Sequence, residues 1–250
     1  MKLQNILRNI RQADQDFHLI EDGDKVVVAL SGGKDSMLLF LALAQYQKFK
    51  GKNFELLAIH VDPGFDEALN VPMEEFARKH GLELHIVNTH IYPILQQEQH
   101  LHNGKIQCSL CSTLKKGTLF DTAKELGCNK VAFGHHGDDA IETLLLNMVH
   151  GAKVATFRPD QYMSRMDMHL IRPLVYCFED EIKEACALND VPAARKVCPN
   201  DGFTQRESMK DIVSQLAGTG ADARKNLLKA LGNQEQILLW KPDSSWKHQD

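Results

Sequence analysis

The sequence lacks the features that mark membrane and secreted proteins. None of its apolar runs approaches the ~20 residues that a helix needs to span a bilayer, and no signal-peptide pattern opens the chain. Six cysteines in 250 residues, without a secretory signal, indicate reduced thiols, metal ligands or catalysis rather than a disulfide framework. We therefore expect a cytoplasmic protein without a membrane partner.

The sequence also lacks an excess of positive charge. Lysine and arginine total 29 against 33 acidic residues, a net charge of −4, so bulk charge does not indicate a nucleic-acid-binding protein, although a local basic patch could still bind one. Basic pairs do occur locally, and each is also compatible with a solvated helix face: Lys115 with Lys116, Arg195 with Lys196, and Arg224 with Lys225. No internal repeat or low-complexity segment is present.

Strand and helix patterns alternate along most of the chain. Hydrophobic residues make up 43% of it, and the wholly apolar, β-branched run "VVVAL" at 26–30 is typical of a parallel strand buried on both faces. The alternation predicts an α/β fold, a doubly wound and mostly parallel sheet with helices on both faces. We expect an N-terminal helix at 1–19, a nucleotide-binding domain at 20–190, and a C-terminal segment at 191–250 with two helices. The predicted strands are 25–30, 54–61, 82–87, 130–133 and 170–175, and the predicted helices are 35–49, 72–80, 108–126, 138–149, 179–188, 205–217 and 221–231.

The stretch "SGGKDS" at 31–36 connects the first strand to the next helix. In open α/β sheets this is where ligands bind, and the free N–H groups and dipole of a helix start favour phosphate. The glycines allow a sharp turn and a close approach to an anion. The spacing matches neither common glycine-rich nucleotide motif, and a plain strand–helix turn capped by a serine is the alternative. The candidate phosphate-binding residues are Ser31, Gly32, Gly33, Lys34, Asp35 and Ser36.

Two further stretches end strands at the same edge of the predicted sheet. "AIHVDPGF" brings His60 and Asp62 beside the nucleotide, and "AFGHHGDDAIETLLLNM" brings Gly134 and His135. Asp138 and Asp139 then begin a helix. Acidic residues in a first helical turn are common as caps, but a pair that faces a phosphate turn is equally compatible with binding a metal or positioning a substrate.

Cys108 and Cys111 form a C-x-x-C at a predicted helix start, a pattern shared by zinc, iron–sulfur and redox sites. Because there is no second C-x-x-C, a four-cysteine zinc ribbon is not expected. Cys198 lies in an irregular segment, and with it three thiolates would leave one ligand position open. The other cysteines are expected to be small buried side chains: Cys128, Cys177 and Cys186.

"SGGKDS" resembles the pyrophosphate-binding loop of the ATP-pyrophosphatase (PP-loop) superfamily. The resemblance implies an adenine nucleotide alpha hydrolase-like fold, cleavage of ATP between the α- and β-phosphates, and adenylation of the substrate. Asp35 is useful in such a site if Mg²⁺ bridges the phosphates.

"CSLCSTLKKGTLF", "GHHGDDAIETLLLNM" and "HLIRPLVYCFEDEI" together resemble the tRNA 2-thiocytidine synthetase branch, over about residues 26–198. That resemblance implies a 4Fe–4S cluster held by Cys108, Cys111 and Cys198, with tRNA as substrate. It also implies a sulfur donor, either a cysteine desulfurase or free sulfide. The branch usually has a second C-x-x-C at the third ligand, whereas Asp201 stands in the later position here. A homodimer is a further expectation.

The predicted catalytic residues are Asp35, Lys115, Asp138 and Asp139. Lys115 follows Cys111 by one helical turn and could reach sulfur or the reacting carbonyl, although a surface lysine is the alternative. We expect an ATP-dependent tRNA sulfurtransferase that acts on C2 of a cytidine. Three alternatives stay open: a ligase of lysidine-synthetase type, a non-catalytic iron–sulfur or nucleotide-binding module, and an enzyme that thiolates a small molecule.

Overall fold

A computed structural model of the chain describes residues 3–49, 51–64, 70–97, 101–102, 105–192 and 205–239. The strands are β1 (Lys25–Ala29), β2 (Glu55–Asp62), β3 (Leu84–Asn88), β4 (Leu101–His102), β5 (Lys105–Ile106), β6 (Lys130–Ala132), β7 (Asp160–Met163) and β8 (Met168–Ile171). The helices are α1 (Gln4–Phe17), α2 (Lys34–Tyr46), α3 (Val71–His80), α4 (Ile91–Leu95), α5 (Cys108–Glu125), α6 (Gly137–Gly151), α7 (Glu179–Leu188), α8 (Gln205–Ala217) and α9 (Ala223–Ala230). A 3₁₀ turn follows at Gln234–Gln236.

Within the described residues, six strands form one sheet in the order β3-β2-β1-β6-β8-β7. β1 pairs in parallel with β2 and β6, β2 with β3, and β6 with β8, while β7 runs antiparallel to β8. The predicted doubly wound, mostly parallel fold with a helical C-terminal region is confirmed.

The apolar run of β1 is explained by burial on both faces of the sheet. Val26 and Val28 pack into a core shared with α1, α2 and α7. Val27 points the other way, into a core shared with α4 and α5. Because successive side chains of a strand alternate between faces, a strand covered on both sides must be apolar at every position. α1 joins the first core through Ile6 and Ile10, which are fully buried.

The structure differs from the predicted elements in several places, including the short β4–β5 pair, which was not predicted. β8 is Met168–Ile171 rather than 170–175, since Pro173 has no N–H for the ladder and the chain turns there, with the Val175 N–H bonded to the Arg172 carbonyl. The β7–β8 hairpin and α4 were not predicted. The division of the chain at residues 19 and 190 stays a prediction.

The edge of the sheet that matters for function lies between β1 and β6. From β1 the chain winds through β2 to β3 on one side, and from β6 it continues to β8 on the other. In such sheets ligands bind in the crevice outside the carboxyl ends of the strands, where the order reverses. Ser31 and Gly134 lie at that edge. Among the described residues, no helix has both the length and the apolar character needed to cross a membrane.

Candidate active site

The turn at 31–36 is braced by its two serines. The Ser31 N–H donates to Ser36 Oγ (3.1 Å), and the Ser36 hydroxyl donates to the Gly33 carbonyl (3.0 Å). Gly32 has a φ of +80°, a conformation that favours glycine. α2 begins at Lys34 with no side-chain cap, and the first N–H groups of a helix have no intrahelical acceptor. The turn therefore directs backbone donors toward a position that suits a phosphate group.

Lys34 supplies the positive charge of this turn. Its Nζ lies 2.8 Å from Asp35 Oδ1 and 3.3 Å from Glu179 Oε1, at the start of α7. Burial disfavours the ammonium, but the two carboxylates outweigh it and raise the pKa of Lys34. Glu179 was not among the predicted residues. The only signal for it was an acidic residue in a first helical turn, which is common in helices that bind nothing.

Gly134 lies so close to the phosphate turn that even a Cβ atom would be crowded. A Cβ at this position would lie 3.0 Å from both the Asp35 carbonyl carbon and the Ser36 nitrogen. The end of β6 is thus packed directly on the first turn of α2. This contact holds the turn at the point where the strand order reverses.

His60 and Asp62 end β2 at the same edge. His60 is buried, and its Nδ1 donates to the Leu30 carbonyl at 2.7 Å. Burial lowers the pKa of His60, and the ammonium of Lys115 lowers it further, against the opposing effect of Asp62. Asp62 accepts hydrogen bonds from the Gly64 backbone N–H (2.8 Å) and the Asn70 side-chain amide (2.6 Å), so its carboxylate holds these two residues close to the end of β2.

His135 belongs to an aromatic group at the end of β6. Its ring stacks on Phe133, with centroids 5.7 Å apart and planes at 14°, and lies 5.3 Å from the Phe157 ring. The Arg172 guanidinium lies over the Phe157 ring, 4.6 Å from its centroid. Planar groups of this kind offer a surface on which a base could stack.

Both aspartates at the start of α6 have protein partners. Asp139 Oδ2 accepts the His136 N–H at 2.9 Å, which is a helix cap. Asp138 is buried, accepts the Glu179 N–H at 2.7 Å and pairs with Arg224. Burial opposes ionisation of Asp138, but His136, Arg224 and the Glu179 N–H prevail and lower its pKa to about 2. Capping is thus observed at Asp139, and a buried ion pair at Asp138.

Cys108 and Cys111 occupy the first turn of α5, which follows β5. Cys108 is exposed, Cys111 is half-buried, and neither is in a disulfide. Lys115 is half-buried one turn further along. The described residues contain no group of three or more potential metal ligands. The predicted third ligand, Cys198, lies outside the described residues, as does Asp201.

The other three cysteines are buried, as expected for small apolar side chains: Cys128, Cys177 and Cys186. Burial raises the pKa of their thiols to about 11, 12 and 11 respectively. Thiols in such surroundings are poor nucleophiles and poor metal ligands.

Residues 2–193 match the sequence pattern of the PP-loop domain. The chain belongs to the PP-loop family. Its relatives include tRNA-cytidine(32) 2-sulfurtransferases. The protein of Alcanivorax borkumensis is 38% identical over 93% of this chain and 82% of its own length. That of Syntrophotalea carbinolica is also 38% identical, over 87% and 84%, and that of Yersinia pseudotuberculosis is 41% identical, over 85% and 68%.

Solved structures agree with this fold. The PP-loop protein superimposes on the U34-tRNA thiolase of Methanococcus maripaludis, solved with its [4Fe-4S] cluster, with a TM-score of 0.75 and 21% identity over 97% of this chain and 81% of that one. The NMN synthetase of Francisella tularensis gives a TM-score of 0.52 at 12% identity over 97% and 99%. At these identities the likeness establishes the fold.

The PP-loop match stops at residue 193, and the site also has contacts from beyond it. Arg224, on α9, reaches Asp138 across 86 residues of sequence. Sequence analysis noted Arg224 only as part of a basic pair. No local pattern could have found it, because the contact depends on how α9 packs on α6.

Proposed function

We propose that this PP-loop protein is an ATP-dependent tRNA sulfurtransferase that replaces the 2-oxygen of a cytidine with sulfur. The relatives are named for cytidine 32, and the proposal adopts that nucleotide. The observation that carries it is the packing of α5 on β2. Cys111 packs against the buried core that contains Ile59 and Val61 of β2, the strand that ends at Asp62. We infer that the C-x-x-C turn and the phosphate turn serve one reaction centre.

In the proposed reaction the phosphate turn binds ATP. The first-turn N–H groups of α2 and the Lys34 ammonium take the β- and γ-phosphates, with Ser31, Gly32, Gly33 and Ser36 shaping the turn. Asp35 would supply a carboxylate ligand for Mg²⁺, which would offset the negative charge of the phosphates. Donors that are already in place stabilise the charge that develops on the departing pyrophosphate. The adenosine lies along the edge formed by His60, Asp62, Gly134 and His135.

Adenylation makes the oxygen at C2 of cytidine a good leaving group. That oxygen attacks the α-phosphorus and pyrophosphate departs; a sulfur nucleophile then attacks C2, and AMP departs with the oxygen. Asp138 and Asp139 orient the reacting groups, and Lys115 offers an ammonium beside the carbonyl. Holding both reactants in one site replaces a rare collision by an attack within the complex.

The sulfur is proposed to come through a 4Fe–4S cluster held by Cys108, Cys111 and Cys198. Two thiols spaced i, i+3 in one helical turn, neither in a disulfide, fit two of the three ligands. When bound, such a cluster supplies an iron without a protein ligand, at which sulfur can be presented. The donor is a cysteine desulfurase or free sulfide. The tRNA substrate supports a cytoplasmic location, and a homodimer stays a prediction.

The test is a reaction with α-labelled MgATP, tRNA and sulfide, using protein whose iron has been restored under argon. We expect AMP, pyrophosphate and, after nuclease digestion, 2-thiocytidine by mass spectrometry. Cys108→Ala should lose the cluster absorbance near 400 nm and form no 2-thiocytidine, while MgATP affinity is kept. Cys128→Ala is the matched control and should keep both cluster and product.

Three outcomes would contradict parts of this proposal. Release of ADP and orthophosphate would exclude the adenylation step. AMP formation without sulfur in the tRNA would favour a ligase. Full iron content and thiolation in Cys108→Ala would show that the ligand assignment is wrong.

A further inference from the structure

Arg224 connects a C-terminal helix to the proposed active site. Its Nε lies 2.6 Å from Asp138 Oδ1, and its Nη2 donates to Asp138 Oδ2 at 2.9 Å. The same Nη2 reaches Asp180 Oδ1 at 2.7 Å. The guanidinium carbon lies 4.3 Å from the centroid of the Phe178 ring. One side chain of α9 thus holds the first turns of α6 and α7 together.

Arg224 contacts the Asp138 carboxylate together with two other groups. Asp138 also accepts the Glu179 N–H, and His136 Nδ1 lies 3.5 Å away. Arg224 Nη2 donates to Oδ2, and Nε lies within ion-pair distance of Oδ1 but is not hydrogen-bonded to it. A guanidinium nitrogen beside each carboxylate oxygen restricts the position of Asp138.

The packing of α9 leaves little freedom for this contact to shift. A Cβ at Gly137, the first residue of α6, would lie 3.1 Å from Leu228 Cδ2 of α9 and 3.0 Å from the Cys177 carbonyl oxygen. The two helices are therefore in close contact at the start of α6, next to Asp138.

The contact continues to the phosphate turn through Glu179. Its N–H bonds to Asp138, and its carboxylate lies 3.3 Å from Lys34 Nζ. We propose that Arg224 is a positioning residue of the ATP site, which orients Asp138 and balances its charge beside the bound phosphates. The proposal rests on the proposed function for the step in which Asp138 acts. With this role for Arg224, the α8–α9 region contributes to the ATP site although it lies outside the matched PP-loop domain.

Arginine and lysine should differ at this position. A lysine keeps the positive charge near Asp138 but is a point charge without a planar fork. Loss of orientation and loss of charge can therefore be separated. Arg224→Lys removes the orienting contact and keeps the charge, and Arg224→Ala removes both the contact and the charge. Lys229→Ala removes one charge from the exposed side of the same helix.

The experiment measures MgATP affinity and the rate of AMP formation with tRNA in these three variants. We expect Arg224→Lys to keep MgATP affinity within about twofold and to lower kcat by about 10- to 100-fold, the usual effect of losing a group that orients a reacting residue. Arg224→Ala should lower kcat at least as much and also bind MgATP about tenfold more weakly, since Asp138 is left uncompensated beside the phosphates. Lys229→Ala should match the wild type.

Wild-type kcat in a folded Arg224→Lys protein would overturn the proposal, and so would equal losses in Arg224→Ala and Lys229→Ala. If Arg224→Ala does not fold, the lysine variant decides. If the wild type forms no AMP with tRNA, the proposed function fails instead. MgATP affinity in Arg224→Ala against Lys229→Ala then still tests the charge-balancing part.

Discussion

Buried and half-buried charges gather at both ends of the central sheet, and the two groups are built differently. At the amino end, Asp24 accepts bonds from Lys130 Nζ (2.8 Å), the Asn129 amide (2.7 Å) and the Glu21 N–H (2.7 Å). The side chains of Asp24 and Lys130 are only 7% and 8% exposed. This pair is closed to solvent, and its partners are all supplied by the protein.

The group at the carboxyl end is open. Lys34, Asp35 and Glu179 have side chains that are 25%, 31% and 28% exposed. Here the Lys34 ammonium contacts two carboxylates, beside the start of α2, which has no side-chain cap. An anionic ligand can reach this cation and take the place of a carboxylate. A closed pair can serve stability alone, whereas an open one can exchange a protein partner for a ligand.

The largest difference between the two groups is expected when Lys34 is replaced. We expect Lys34→Ala to reduce AMP formation by about 100- to 1000-fold, the range for losing a donor that stabilises developing charge. Its melting temperature should stay close to that of the wild type, because pairs this exposed contribute little to stability. Pyrophosphate release and thermal unfolding measure the two effects. A melting temperature that collapses together with activity would make the carboxyl-end group structural too.

At Asp24 we expect a loss of stability rather than a loss of activity. Asp24→Asn leaves Lys130 buried without a counter-charge, which should lower the free energy of unfolding by about 3 to 5 kcal/mol, with MgATP affinity unchanged. Burial raises the pKa of Asp24, but bonds from Lys130, Glu21 and Asn129 outweigh burial and lower it. The stabilisation by the ionised Asp24 carboxylate is therefore complete above the pKa of ~3.9 that aspartate has in the unfolded chain. It is lost as the pH falls through the lower pKa of Asp24 in the folded protein.

Urea unfolding from pH 7 down to pH 3 measures this difference. The difference between the wild-type and Asp24→Asn curves should narrow as the pH falls below the unfolded pKa of ~3.9. Glu55→Gln provides the exposed counterpart, since the Lys25–Glu55 pair spans 3.2 Å with Glu55 74% exposed, and its effect should stay below about 1 kcal/mol. Equal stability of Asp24→Asn and the wild type at pH 7 would refute the closed-pair interpretation.

The smallest expected effect comes from one methyl group. Gly134→Ala places a Cβ 3.0 Å from the backbone of Asp35 and Ser36, and we expect about 1 to 3 kcal/mol of destabilisation from overpacking together with weaker MgATP binding. Gly117→Ala on α5 meets open space and should be neutral or stabilise the protein by up to about 1 kcal/mol. Calorimetric MgATP titration and urea unfolding distinguish them. Similar effects in both would mean that the fit at Gly134 is not tight.

Much of the fold was predictable because its signals are local. β1 is apolar from Val26 to Ala29 because both of its faces are covered, and the predicted ranges of α7 and α8 match the structure at both ends. The β7–β8 hairpin was missed because β7 lies at the sheet edge with mixed burial, and its residues carry no clear alternation. α4 is five residues long, too short for a helical period to be recognised.

The sequence by itself determined the phosphate turn and the C-x-x-C, because each depends on neighbours in the chain: a strand end, glycines, a helix start. Only the tertiary structure decided which carboxylates are engaged. Asp139 caps its own helix, whereas Asp138 pairs with Arg224, and Lys34 shares Glu179 from α7. The physical reason is that the two members of an ion pair must be close in space but need not be close in sequence. Residues 138 and 224 meet because α9 packs on α6, and nothing in either segment specifies the other.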